Sequence, residues 1–334
     1  MIRYLAPMLE LTDGSGDCQH GLSHVSAGWS RMDTDGLDGL GAGGLPRASK
    51  PKARIRPVPA RRRIDTRVPL IGSSSRMQIL LTNDDGYFSP GIEALAVALA
   101  ALGRVTIVAP ETEASAIGHA LTLRRPLRLE RKAEHVYAVD GTPTDCVNIA
   151  INRVLDGPPD LVVSGINKGF NIGDDVTYSG TVAGALEGAL LGYPAMAVSL
   201  EFTEGTMDFG PAASVAAALA SELVARPLPA RSFLNVNVPL GAIRGVRVTV
   251  QATRNHVTKV DKRLDPRQRP YFWIEEARDD WQPHDRSDYQ AVMDGFVSVT
   301  PLQPDLTHHD ALDHAEKLAR SMTFAVETHT ASQS

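Results

Sequence analysis

From Met77 onward, short apolar runs suited to buried strands alternate with longer apolar segments at helical spacing, and this alternation restricts the fold more than any other feature of the chain. MQILLT (77–82) reads as a strand, IEALAVALAAL (92–102) as a helix, and RVTIVAP (104–110) as the next strand, stopped by Pro110. After an irregular region come a helix over TPTDCVNIAINRVL (142–155) capped by Thr142, a strand leading into a loop at DLVVSGIN (160–167), a helix over SGTVAGALEGALLG (179–192) and a strand at YPAMAVSL (193–200). A helix near 208–225 and a strand at FLNVNVP (233–239) complete the series. Such an order predicts an α/β fold: a parallel sheet covered by helices on both faces.

Beyond Pro239 the pattern changes. VRVTVQATR (246–254), a charged loop with Pro266 and Pro270, YFWIEE (271–276) and GFVSVTPL (295–302) read as antiparallel strands and long loops, followed by a helix near 308–325. The expected division is an α/β core over 77–240, a smaller β-rich arm over 241–307 and a C-terminal helix over 308–325. Arms of this kind often exchange between protomers.

Residues 1–76 are of another character. GLDGLGAGGLPRASKPKARIRPVPARRRIDTR mixes Gly, Pro and Arg without a period of 2 or 3.6, and nine basic residues face one acid between Arg47 and Arg67. The stretch reads as a disordered basic extension, and Met77, which opens the first strand, is a candidate internal translation start. Residues 77–334 hold 22 Lys/Arg against 32 Asp/Glu, a net of −10. That acidic body repels polyanions and argues against nucleic-acid binding there, while a small phosphorylated substrate remains compatible if a cation neutralises the meeting point. No apolar run approaches the ~20 residues that span a bilayer, so a cytoplasmic protein without membrane attachment is expected. Cys18 and Cys146 lie far apart and outside any CxxC spacing, which points to reduced thiols and no structural zinc.

The chemistry begins at ILLTNDDG (79–86), where a buried strand ends in two adjacent carboxylates. Ligands of open parallel sheets bind at the carboxyl ends of the strands. Asp84 and Asp85 placed there repel each other, and a hard divalent cation is the usual compensation. Asn-Asp-Asp-Gly is equally good turn chemistry before a helix, so the tetrapeptide alone leaves both readings open. A second strand end, SGINKGFNIGDDVTYSG (164–180), is rich in polar side chains. Asn167 can offer a carbonyl to a cation, and Ser179, Gly180 and Thr181 open a helix whose free N–H groups suit a phosphate. Gly180, Gly184 and Gly188 recur every four residues, as expected of a helix packed closely on a sheet.

These segments together resemble the stationary-phase survival protein SurE family of metal-dependent 5′-nucleotidases. The resemblance rests on ILLTNDDG (79–86), SPGI (89–92), VAPE (108–111), GTPTDC (141–146), SGINKGFNIGDDVTYSGTVAGALEG (164–188) and GFVSVTPLQPDLT (295–307), in order and at the family's spacing over about residues 77–320. It implies a Rossmann-like parallel core with a smaller β-rich arm, and one divalent cation, Mg²⁺ or Mn²⁺, bound by Asp84, Asp85, Ser115 and Asn167. Asp84 or Asp85 is then the catalytic acid–base group. Asn83, Ser179, Gly180 and Thr181 are expected to hold the phosphate, with His119 as a general acid or further phosphate contact and Thr144 of GTPTDC on the nucleoside side. Nucleoside 5′-monophosphates are the implied substrates, with 3′-nucleotides and short polyphosphate as extensions, and a homodimer or homotetramer is the implied assembly, its arm including SDYQAVMDG (287–295). The loop ETEASAIGHALTL (111–123) departs from the family pattern at Ala116 and Gly118.

Three rival readings weigh less. A receiver-like phospho-acceptor module needs an acceptor Asp at the end of its third strand, where this chain has VVSGIN (162–167). Aspartyl-phosphate phosphatases place their two acids one residue apart, not side by side. A dinucleotide-binding oxidoreductase would carry GxGxxG after MQILLT, and this chain does not.

Overall fold

The computed structural model describes residues 77–322, without the side chains of 254–258 and 275–280. The reading of residues 1–76, and the last three residues of the helix expected to reach 325, lie outside the described residues. In chain order the elements are β1 (Met77–Thr82), α1 (Pro90–Leu99), β2 (Gly103–Pro110), β3 (Leu129–Ala133), β4 (Val136–Val139), α2 (Pro143–Ile149), β5 (Leu161–Lys168), α3 (Gly180–Leu190), β6 (Ala195–Leu200), α4 (Gly210–Ala225) and β7 (Phe233–Val238). They continue with β8 (Val246–Val248), β9 (Arg254–Leu264), β10 (Pro270–Trp281), α5 (Asp288–Met293), β11 (Val297–Leu302) and α6 (Leu312–Ser321).

Nine strands form one sheet in the order β3-β4-β2-β1-β5-β6-β7-β11-β8, and β4 through β7 of that order run parallel. The chain starts in the middle at β1, builds outward through β2 and β4, then returns to the other side of β1 with β5, β6 and β7. The order therefore reverses between β1 and β5, and the crevice outside their carboxyl ends is where such sheets bind ligands.

The buried alternation of β1 explains the layers. Ile79 and Leu81 point into one apolar layer with Ile92, Leu95 and Leu99 of α1 and Ala212, Ala216 and Ala220 of α4. Leu80 points into the other, with Cys146 and Val147 of α2 and Val182, Ala185 and Ala189 of α3. Each large side chain so covered stabilises the fold by about 1.5–3 kcal/mol. The glycine row of α3 performs the close packing its spacing predicts: a Cβ at Gly184 would lie 2.8 Å from Ser164 Oγ, and one at Gly188 2.8 Å from Val162 Cβ.

Helix starts follow their caps. Ser89 accepts from Ile92 N ahead of Pro90, and Thr142 and Asp145 form a reciprocal capping box ahead of α2. The helix expected over 142–155 keeps its start, but Ala150–Val154 is a π-helical turn, with Leu155 N bonded to Ala150 O at 3.0 Å.

The carboxyl-terminal third differs from the sequence reading. GFVSVTPL does not belong to a separate lobe, because β11 pairs antiparallel with β7 inside the main sheet and β8 extends it in parallel. SDYQAVMDG is not arm either. It folds as α5, with Asp288 fully buried and accepting from Gly173 N, Ala252 N and Tyr289 N. The small antiparallel sheet is the β9–β10 hairpin, which takes in the stretch read as a charged loop. Its alternation is obscured because both faces carry exposed residues, including Val260, Phe272, Trp273 and Ile274. The edge hairpin β3–β4 was also illegible, since LERKA is exposed along its whole length. Among the described residues no helix is long and apolar enough to cross a membrane.

Candidate active site

The turn after β1 consumes Asn83 and delivers the two acids. Asn83 Nδ2 donates to Gly86 O at 3.0 Å and to Ser89 Oγ at 2.7 Å, while its Oδ1 accepts from Gly86 N. Gly86 has φ +99°, which glycine adopts without strain. Asn83 therefore serves the turn with both ends of its side-chain amide. Asp84 and Asp85 project into the crevice between β1 and β5 and are 5% and 9% exposed.

The start of α3 grips Asp84. Thr181, fully buried, donates its hydroxyl to Asp84 Oδ1 and holds that carboxylate. Gly180 lies flat against the same side chain: a Cβ there would come 2.7 Å from Asp84 Cβ and 2.9 Å from Oδ2. Ser179 is occupied too, capping α3 by accepting from Val182 N at 3.0 Å. The loop after β2 closes over the pair through Ala114 N, which donates to Asp84 O at 2.8 Å.

Asp85 is held from β5. Lys168 Nζ stands 3.6 Å from Asp85 Oδ1, and Oδ2 is buried with no hydrogen-bond partner among the described residues. Asn167, the preceding residue, donates through Nδ2 to Gly169 O at 2.9 Å, which leaves its carbonyl oxygen unengaged by described residues. Lys168 was absent from the sequence reading, and so was Glu113, whose charge raises the Asp85 carboxyl.

Electrostatics follow from this packing. Burial pushes the Asp84 carboxyl up to about 6, with Asp85 adding to the rise and the Thr181 hydrogen bond opposing it. Burial also raises Asp85, opposed by the Lys168 ammonium. Two buried carboxyls are thus kept short of compensating positive charge, with one oxygen of each engaged by the chain.

The remaining expected site residues are placed less centrally. Ser115 is exposed and donates to Glu113 Oε1 at 2.7 Å. Thr144 is buried in α2, and its hydroxyl has no hydrogen-bond partner among the described residues. His119 Nε2 lies 2.7 Å from Glu187 Oε2 on α3, and Asn148 of α2 donates to Glu187 Oε1 at 2.6 Å. Burial favours the neutral form of Glu187, but the bonds from His119 and Asn148 outweigh it and leave the carboxyl below its ordinary range.

The donor set fits a hard cation. A buried, unpartnered carboxylate oxygen on Asp85, the paired carboxylate of Asp84 and the open carbonyl of Asn167 are all oxygen ligands of the kind Mg²⁺ or Mn²⁺ selects. Among the described residues no three His, Cys, Asp or Glu side chains converge on one point, so neutral oxygens and water would have to complete the shell.

Comparison with known proteins gives a consistent result. The model of the family described as "Survival protein SurE" matches residues 79–258. A 5′-nucleotidase SurE of Syntrophotalea carbinolica is 50% identical over 253 residues, 75% of this chain and 100% of the relative. One from Moorella thermoacetica is 46% identical, covering 74% of this chain and 97% of the relative. Among solved structures, a SurE protein from Aquifex aeolicus superposes with a TM-score of 0.65 at 43% identity, covering 72% of this chain and 99% of that one.

Proposed function

The chain belongs to the SurE survival-protein family, and from that membership and the geometry of the β1–β5 crevice we propose that it is a 5′-nucleotidase that hydrolyses nucleoside 5′-monophosphates with one divalent cation, Mg²⁺ or Mn²⁺. The observation that carries the proposal is the buried pair Asp84–Asp85, with Asp85 Oδ2 left without a partner. Unpaired buried carboxylate oxygens are costly, and a cation that meets such a pair offsets that cost.

Asp84, Asp85 and Asn167 would hold the cation, with Ser115 joining once its hydroxyl leaves Glu113. Bound there, a divalent ion would supply Lewis-acid polarisation of a phosphoryl oxygen and a lowered pKa for bound water. The chain's own residues do the rest. Thr181 and Gly180 fix the Asp84 carboxylate, so its free oxygen has one position from which to orient or deprotonate the attacking water. Lys168, its side chain 41% exposed, stands at the mouth beside Asp85 and supplies a positive charge to the entering phosphate. The loop after β2 is tied to the acid pair's turn through Ala114 N, which donates to Asp84 O.

The same proposal extends to a cytoplasmic location, supported by a free, buried Cys146. It extends also to a homo-oligomer built through the β9–β10 hairpin, supported by exposed Phe272, Trp273 and Ile274 on a two-stranded element. The assay is phosphate release from a panel of nucleoside monophosphates, 3′-nucleotides and short polyphosphate, with Mn²⁺, with Mg²⁺ and with EDTA. Release that EDTA leaves intact would remove the cation from the mechanism.

A further inference from the structure

We infer that Asp288 is a positioning residue for the acid pair: by holding Gly173 it ties the foot of the β9–β10 hairpin to the start of α3, and so to the grip on Asp84. The inference rests on the cation-site reading above. Asp288 is fully buried in α5, and its carboxylate accepts from Gly173 N at 3.1 Å on Oδ2 and from Ala252 N at 2.9 Å and Tyr289 N at 2.8 Å on Oδ1. Both legs of the hairpin meet at the same glycine. A Cβ on Gly173 would come 2.9 Å from the carbonyl oxygen of Ala252, just ahead of β9, and 2.6 Å from Cζ3 of Trp281, the last residue of β10. Trp281 in turn stacks on Tyr289 of α5 with ring centroids 4.5 Å apart. Gln251 Nε2 donates to Gly173 O at 2.8 Å, and Gln282 N to Thr253 O at 2.9 Å, which closes the foot.

Bonded segments connect Gly173 to Asp84. Gly173–Thr177 is a 3₁₀-helical turn in which Asp175 N donates to Ile172 O at 3.2 Å, Tyr178 N to Asp175 O at 3.0 Å and Ser179 N to Asp175 O at 3.1 Å. Ser179 then caps α3, whose Gly180 and Thr181 hold the Asp84 carboxylate. Upstream, Asn171 is fixed in the main sheet: its N–H donates to Asn237 Oδ1 and its Nδ2 to Ser199 Oγ, both at 2.8 Å, and its carbonyl accepts from Asn235 and Asn237. Asn171 thus fixes where the loop leaves the sheet, and Asp288 fixes the left-handed turn at Gly173, φ +54°, from which the 3₁₀ turn departs. A buried carboxylate is a costly second anchor, since apolar packing would carry no desolvation penalty. Its bonds to backbone N–H groups hold one geometry, and a contiguous bonded network carries that geometry to α3.

The experiment compares the full chain as wild type, Asp288→Asn, Gln251→Ala, Thr181→Val, the Asp288→Asn/Thr181→Val pair and a hairpin variant with Phe272, Trp273 and Ile274 each changed to Ser. Asparagine keeps the shape of Asp288 but turns an NH₂ group toward one of its N–H donors. Amide hydrogen exchange over residues 179–184 of the metal-free protein should rise about tenfold in Asp288→Asn while β6 is unchanged. Mn²⁺ affinity, by calorimetry, should fall about tenfold, as is usual when a residue supporting a metal ligand is lost. Gln251→Ala should move both readouts severalfold in the same direction. The pair should bind Mn²⁺ no more weakly than its weaker single variant, because both changes act on the Asp84 carboxylate. The hairpin variant should leave both readouts at the wild-type level. Asp288→Asn that lowers the melting temperature but leaves exchange over 179–184 and Mn²⁺ affinity unchanged would make Asp288 merely structural and overturn the inference. Multiplicative losses in the pair, or a hairpin variant as weak in Mn²⁺ as Asp288→Asn, would overturn it too. Should Asp288→Asn fail to fold, Gln251→Ala carries the test. A wild type that binds no Mn²⁺ would count against the cation reading instead, and exchange over 179–184 would still decide the role of Asp288.

Discussion

The hydroxyl of Thr181 donates to Oδ1 of Asp84 across 97 positions of sequence, joining the first turn of α3 to the end of β1 at the point where the strand order reverses. Removing that donor while keeping its shape isolates the bond. Thr181→Val should weaken Mn²⁺ binding about tenfold or more, since a charged, buried acceptor left unsatisfied costs roughly 1–3 kcal/mol. Thr181→Ser should restore most of it. Calorimetric titration of the metal-free protein measures both.

A second prediction concerns pH. The Asp84 carboxyl, ordinarily near 3.8, titrates at about 6 in the folded chain. A raised carboxyl favours the metal-free fold below its unfolded value, and that contribution is lost as pH rises through about 6. Cation binding requires the ionised form and so must displace the proton at low pH. Mn²⁺ affinity should fall about tenfold between pH 7 and pH 5, and the cation should raise the melting temperature more at pH 7 than at pH 5. Calorimetry and thermal melts at the two pH values test this. A metal-induced shift independent of pH would contradict the raised carboxyl.

Gly180→Ala separates local packing from stability. Alanine's gain in helix propensity, at most about 1 kcal/mol, offsets part of an overpacking cost of about 1–3 kcal/mol, so the variant should stay folded and melt a few degrees below the wild type. Its Cβ, however, would stand 2.7 Å from Asp84 Cβ and must push the carboxylate aside. Turnover should fall at least about tenfold, as misplaced catalytic groups typically produce. Full activity would show that Asp84 has room to adapt.

Much of this arrangement was legible in the sequence, and the reasons are specific. The apolar alternation of 77–239 located the parallel strands because burial on both faces leaves unbroken runs such as ILLT and LVV. The acid pair was legible because it terminates one of those runs. What Thr181 touches was not, since a partner 97 residues away leaves no local trace, and a helix-start threonine has free N–H groups that equally suit a phosphate. Lys168 carried no periodic signal as a single cation in a polar loop, and it matters only because β5 lies next to β1. The turn chemistry of Asn83 was legible locally, because its side-chain amide bonds Gly86, only three residues on.

Lys168→Met should move two constants in opposite directions. Loss of the ammonium 3.6 Å from Asp85 removes a competitor for the cation and should tighten Mn²⁺ binding severalfold. KM for a nucleoside monophosphate should rise about tenfold, because the phosphate loses a charged contact. Weaker binding of both would show that Lys168 supports the acid pair rather than the substrate.

The hairpin predicts self-association. Replacing Phe272, Trp273 and Ile274, all exposed, with polar residues should convert an oligomer to a smaller species in light scattering while leaving the main sheet folded. A wild type that runs as a monomer at working concentration would contradict the oligomer.

Phosphate release from nucleoside 5′-monophosphates by the wild type and by Asp84→Asn, each with Mn²⁺ and with EDTA, decides whether the buried acid pair is a cation-dependent hydrolytic centre. Turnover by the wild type that EDTA abolishes, and a loss of at least about a hundredfold in Asp84→Asn, is the expected result. Equal turnover by both proteins in EDTA would contradict it.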